Sequence, residues 1–193
     1  MPRRLFVAIF FAHALVFAAP AQDGPKNSVV LIIRHAEDAD SGDGISSLGQ
    51  KRADAYKNYF RNLTVDSKRL EPEVVFAAKD SKKSHRPRLT VEPFAKAAKL
   101  KIDTRFGNSQ SAELAADLRA NDQGKVILIC WRHPYIPALL GALGATPKTF
   151  LPNGKWSGSV YDWVILLSYD QDGRLIPESS RRINEHLLPG DTQ

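Results

Sequence analysis

Residues 22–193 predict an α/β fold, a three-layer αβα sandwich with a mostly parallel central sheet and an antiparallel edge hairpin. Three observations lead there. Residues 29–33 (VVLII) and 125–130 (KVILIC) are nearly continuous apolar runs rich in β-branched side chains, as strands covered on both faces are. Amphipathic stripes at helical spacing alternate with such runs, the order of a sheet built from strand–helix units. Residues 161–169 and 174–182 flank the turn Asp170-Gln171-Asp172-Gly173, as the arms of a hairpin do.

In chain order, a polar linker over 22–27 leads into the first strand, 28–33. After the loop Asp40-Ser41-Gly42-Asp43-Gly44, Ser47-Leu48-Gly49-Gln50 reads as a capping box. Leu48, Arg52, Ala55, Tyr56, Tyr59 and Phe60 then mark a helical stripe ending at about residue 61. A second strand, 73–77, precedes a basic loop over 79–86. A helix is expected over 88–99, with Pro93 forcing a kink or a late start. Another covers 112–119 and stops at Asn121-Asp122-Gln123-Gly124. The strand at 125–130 runs into Trp131-Arg132-His133, and a short helix follows over 134–143. No repeat of fixed period and no low-complexity segment interrupts this order.

The length of 193 residues suits one domain with a sizeable core. The first 21 residues differ in kind: Met1-Pro2-Arg3-Arg4 is basic, 5–17 is almost wholly apolar, and Ala19-Pro20-Ala21 is a small-x-small pattern. That is the pattern of a secretory signal peptide cleaved after Ala21, so a periplasmic or secreted location is expected. The apolar run is short for a bilayer span, and no stable membrane insertion is expected after cleavage. Residues 1–21 contain two arginines and no acids, so their removal takes the net charge from +6 to +4. This mild bias accommodates an anionic ligand but falls far short of a nucleic-acid footprint. The single cysteine, Cys130, can form no intramolecular disulfide, and its place at the end of an apolar strand reads as a buried, inert thiol.

Three segments at or after strand ends carry cations and imidazoles: Arg34-His35, His85-Arg86 in the basic loop, and Arg132-His133. In open α/β sheets the carboxyl edge is where ligands bind, and parallel neighbours would bring these groups together there. Guanidinium forks match phosphate oxygens, while a histidine among them can serve as nucleophile or as acid–base. Each residue also has a plainer reading. His85 reads as a solvated loop residue, and Glu37 and Asp38 as turn caps or partners of lysines. Trp131, Trp156 and Trp163 read as packing residues. His35, His133 and Asp38 could hold a metal, but no H-x-H or H-E-x-x-H spacing supports it.

In four elements the chain resembles the histidine phosphatase superfamily, which includes the phosphoglycerate mutases and acid phosphatases. Arg34-His35-Ala36-Glu37 resembles the R-H-G-E signature, and residues 45–53 (ISSLGQKRA) resemble the L-T-x-x-G-x-x-x-A element. Arg86-Pro87-Arg88-Leu89-Thr90 resembles the R-x-x-x-T step. Residues 127–133 resemble the strand leading to the second catalytic histidine, with Ala138-Leu139-Leu140 in the helix after it.

The resemblance implies that 22–193 is a histidine phosphatase-like domain with His35 as the phosphorus-attacking nucleophile. Arg34 and Arg86 would bind the phosphoryl oxygens, and His133 would donate a further hydrogen bond to them. Neighbouring cations are expected to lower the His35 pKa. No cofactor and no metal is implied, because guanidinium and imidazole supply the positive charge. The expected substrate is a phosphorylated small molecule or phosphoprotein.

The departure lies in the general acid, which the family carries either beyond the arginine-bearing helix or directly after the second histidine. Here Pro134 follows His133, and residues 100–110 hold Asp103 as their only acid. Asp162 is another candidate, since an antiparallel strand would start at the active edge. Without a firm acid, phosphoramidates, aryl phosphates or anhydrides are favoured over alkyl monoesters. The alternative is a non-catalytic phosphate- or polyanion-binding protein with a degenerate phosphatase site.

Overall fold

The computed structural model describes residues 23–191; the expected signal peptide, 1–21, lies outside them. In order come β1 (Val29–Arg34), α1 (Ser47–Asn62), β2 (Thr64–Val65), β3 (Lys68–Arg69) and β4 (Val74–Ala77). Then follow α2 (Arg86–Ala98), β5 (Ile102–Asp103), α3 (Ser111–Asn121) and β6 (Val126–Trp131). A 3-10 turn (His133–Tyr135) leads into α4 (Ile136–Ala142), then α5 (Pro147–Phe150), β7 (Trp163–Ser168) and β8 (Arg181–Asn184). The six-stranded sheet has the order β5-β4-β6-β1-β7-β8. β7 alone runs against its neighbours, so the sheet is mostly parallel with an antiparallel edge, as the sequence predicts.

Alternation along the central strands explains the layers. Val30, Ile32, Ile127 and Ile129 point to one face and pack with Leu114, Leu118, Leu139 and Leu140 of α3 and α4. Leu31, Ile33, Leu128 and Cys130 point to the other and pack with Tyr56, Phe60, Val91 and Phe94 of α1 and α2. A strand buried on both faces cannot afford polar positions, which is why β1 and β6 read as unbroken apolar runs. No helix among the described residues is long and apolar enough to cross a membrane.

Several boundaries differ from the sequence reading. Ser46, not Ser47, caps α1: its Oγ accepts the Gly49 N–H at 3.0 Å. Gly49 is then pressed onto the chain after β1, where a Cβ would stand 2.7 Å from the Glu37 carbonyl oxygen. α2 starts at Arg86 and continues through Pro93; Pro87 fits its first turn, where no N–H is needed. The β2–β3 hairpin and β5 are additions, each strand only two residues long. Asp66 and Ser67 both take positive φ at the hairpin turn, without the glycine that usually marks one. The partner of β7 begins at Arg181 rather than at 174, because Pro177 opens a 3-10 turn after the single bridge Tyr169–Leu175.

Candidate active site

β1 and β6 run in parallel register with Arg34 opposite Trp131, so the residues that follow them emerge side by side. The His35 and His133 ring centroids stand 6.2 Å apart. His35 is only 3% exposed, and its Nδ1 lies 2.8 Å from the Ala36 carbonyl oxygen. A carbonyl only accepts, so Nδ1 carries the proton and Nε2 keeps its lone pair. Burial, first, pushes the His35 pKa down to about 4, and Arg34 and Arg86 push the same way against Ala36 and Asp38. The sequence reading placed this depression on the guanidiniums; loss of water around the ring is the larger cause. His133 is lowered too, by burial and then by Arg34, with Asp38 opposing.

Arg34 is fully buried. Its Nη1 donates to the carbonyls of Ser157, Gly158 and Val160 at 3.3, 2.8 and 3.1 Å. Its guanidinium carbon sits 3.7 Å over the Tyr161 ring. One side of the fork is thus anchored, while Nε and Nη2 make no hydrogen bond within the protein. A phosphoryl group needs such a fixed fork with free donors.

Arg86 opens α2, and Thr90 lies one turn on. Thr90 Oγ1 accepts the Ala36 N–H and donates to the Arg86 carbonyl, both at 2.8 Å, tying α2 to the end of β1. This tie gives the R-x-x-x-T spacing a physical reason. Arg86 Nε donates to the Gly44 carbonyl at 2.9 Å, and Nη2 to that of Gly42 at 3.0 Å. The loop after β1 therefore aims Arg86. His85 is not a solvated bystander: its ring nitrogens stand 2.9 Å from Asp43 and 2.9 Å from Asp80, clamping the two loops together.

The acids after His35 pair with arginines, not lysines. Glu37 accepts from Arg52 Nη2 at 2.8 Å. Asp38 Oδ1 lies 2.8 Å from Arg86 Nε, and Oδ2 lies 3.8 Å from Arg34 Nη2 and accepts from the Tyr161 hydroxyl at 3.1 Å. Asp162 precedes antiparallel β7 and so starts at the active edge. It is 2% exposed, its carbonyl accepts the Glu185 N–H at 2.8 Å, and its charge acts on Glu185. The carboxylate whose charge acts on both His35 and His133 is Asp38. Among the described residues, no three His, Cys, Asp or Glu side chains form a group able to hold a metal ion. Cys130 is buried, and its thiol pKa is pushed up by loss of water.

Sequence reasoning missed the carbonyl cradle of Arg34 and the ring beneath it. The segment 151–162 between α5 and β7 carries no periodicity, and backbone carbonyls leave no mark in side-chain identity.

A basic, histidine-bearing edge on a sheet of this order defines a fold class with known members. The chain has the histidine phosphatase fold. It superposes on a protein assigned as the phosphohistidine phosphatase SixA from Agrobacterium tumefaciens with a TM-score of 0.55 and 18% identity, covering 78% of this chain and 96% of that one. A phosphoserine phosphatase from Entamoeba histolytica, in complex with 3-phosphoglyceric acid, gives 0.57 at 13% identity, covering 83% and 100%. A phosphoglycerate mutase from Plasmodium falciparum gives 0.52 at 16%, covering 87% and 98%. No protein-family model and no curated protein matches the chain.

Proposed function

We propose that this chain is an exported, metal-independent phosphohydrolase that works through a transient phosphohistidine on His35. The observation that carries the reading is the state of His35: buried, neutral, its Nε2 lone pair free, beside the unbonded edge of the Arg34 guanidinium. Arg34 and Arg86 would hold two phosphoryl oxygens, and His133 would donate a hydrogen bond to a third. In-line attack by Nε2 then spreads charge over equatorial oxygens that these donors already face. Water attacking the phosphorus of the phosphohistidine releases phosphate and restores the imidazole. The substrate class is a phosphorylated small molecule or phosphoprotein, a reading supported by structural neighbours that are phosphohistidine and phosphoserine phosphatases. Export rests on the leader-like composition of residues 1–21.

The protein supplies the positive charge in this scheme, so hydrolysis of p-nitrophenyl phosphate by residues 22–193 is expected to survive EDTA. Complete loss with chelator and recovery with Zn²⁺ or Mn²⁺ would transfer the chemistry to a metal. Binding of vanadate without turnover would leave a phosphate-binding protein.

A further inference from the structure

Asp38, Asp43 and Asp80 lie on the loops after β1 and β4 that meet around His85 and Arg86, and two of them are committed elsewhere. Asp43 and Asp80 clamp His85. Asp38 is different: its side chain is 43% exposed, and its two oxygens bridge the guanidiniums of Arg34 and Arg86. A carboxylate spanning two arginines presents the same pair of acceptors as one edge of a phosphoryl group. Asp38 is ion-paired with Arg86 at 2.8 Å and, at 3.8 Å and without a hydrogen bond, with Arg34, so a phosphoryl group binding both guanidiniums would compete with it. The hydroxyl of Tyr161, itself under the Arg34 guanidinium, steadies Oδ2 from the side.

In-line displacement places the leaving oxygen opposite the attacking nitrogen. His35 is 3% exposed and the Asp38 side chain 43% exposed, so attack by the buried imidazole would send the leaving group toward the solvent that Asp38 reaches. Asp162, at the same edge, is 2% exposed, is hydrogen-bonded through its backbone to Glu185, and lines a separate pocket with Glu37, Arg52, Tyr161 and Asp191. Resting on the reading of His35 as nucleophile, we propose that Asp38 is a catalytic residue, the proton donor to the leaving group, held between Arg34 and Arg86 until substrate displaces it.

The step balances when the ester enters as its monoanion, the form a phosphate monoester takes below its second pKa of about 6. Two phosphoryl oxygens take over the guanidiniums, and the substrate's proton passes to the displaced Asp38 carboxylate. The Nε2 lone pair forms the N–P bond, the P–O bond breaks, and the leaving oxygen takes the proton from Asp38. The resulting carboxylate accepts a proton from the water that next attacks phosphorus. The P–N bond breaks, its electron pair returns to Nε2, and phosphate takes the proton back from Asp38 and departs as the dihydrogen monoanion, leaving Asp38 a carboxylate again.

The test compares residues 22–193 of the wild type, Asp38→Asn, Asp38→Glu and Asp162→Asn on p-nitrophenyl phosphate and ethyl phosphate. A nitrophenolate leaves with little help, whereas an ethoxide needs its proton, help worth roughly 10²–10⁴-fold. The expected result is that Asp38→Asn lowers kcat/KM for ethyl phosphate about a hundredfold more than for p-nitrophenyl phosphate. Asp38→Glu should restore part of that ratio, and Asp162→Asn should leave it as in the wild type. Vanadate should bind Asp38→Asn more tightly, because the competing anion is gone. An unchanged ratio in Asp38→Asn, the same change in Asp162→Asn, or a wild type inert to ethyl phosphate would overturn the role of Asp38. Base-stable label on His35 in the wild type, measured alongside, separates the two failures: with label present, only the Asp38 assignment falls, and without it the nucleophile falls too.

Discussion

His35→Ala is expected to abolish turnover of p-nitrophenyl phosphate while vanadate binding stays within about tenfold of the wild type. The imidazole supplies the attacking lone pair, whereas the anion is held chiefly by Arg34 and Arg86. Arg34 is set by three loop carbonyls and the Tyr161 ring, Arg86 by the carbonyls of Gly42 and Gly44, and none of these contacts involves the His35 side chain. Charge-assisted hydrogen bonds contribute about 1.5–3 kcal/mol each, so Arg86→Ala should show the reverse pattern, weakening vanadate about ten- to a hundredfold. Steady-state kinetics and vanadate titration of the two variants separate attack from binding. Equal activity in the wild type and His35→Ala would end the mechanism.

The second large effect is on stability. Arg52 is buried in α1 and donates to Glu37 at 2.8 Å and to Asp191 at 2.6 Å, with Glu185 at 3.7 Å. Burial opposes its charge, but the hydrogen bonds it donates to Asp191 and Glu37 outweigh that and raise its pKa. Arg52→Ala would leave three acids close together with no cation among them. Removing one partner of a buried ion pair costs about 3–5 kcal/mol, or roughly 6–20 °C in melting temperature for a chain of this size. The deficit should deepen as pH rises. Burial holds the Glu185 pKa at about 8, above its ordinary 4.5 and against the pull of Arg52 and of the Tyr56 hydroxyl. Stability from its bound proton is fully present below 4.5 and lost as pH rises through about 8. Removing Arg52 strengthens that dependence. Thermal unfolding at pH 5 and pH 8 checks it; a shift under 2 °C at both, or a deficit that shrinks at pH 8, would contradict the account.

Much of this was legible in the chain because the sheet imposes strong constraints. β1 and β6 are covered on both faces, so their apolar runs and polar ends marked both the central strands and the edge where Arg34, His35 and His133 emerge. Arg52 appeared as one position of the α1 stripe, and its burial follows from that stripe. Its partners did not, since Glu37, Glu185 and Asp191 meet it only through the fold. Two-residue strands such as β5 have too little length for a period. Asp38 was legible as an acid near the histidine but not as a bridge between arginines. That role depends on where two loops and a helix terminus converge.

The central claim, a phosphoryl group on His35, is tested most directly by rapid quench of the wild-type protein mixed with labelled substrate. Denaturation in base should retain the label on the peptide containing His35, and denaturation in acid should release it, because a phosphorus–imidazole bond is acid-labile and comparatively base-stable. With the pKa of His35 near 4, the ring stays neutral and labelling should hold down to about pH 5 before it falls. Label that survives acid, or that lies on an aspartate, a serine or Cys130, would contradict the assignment of His35 as nucleophile.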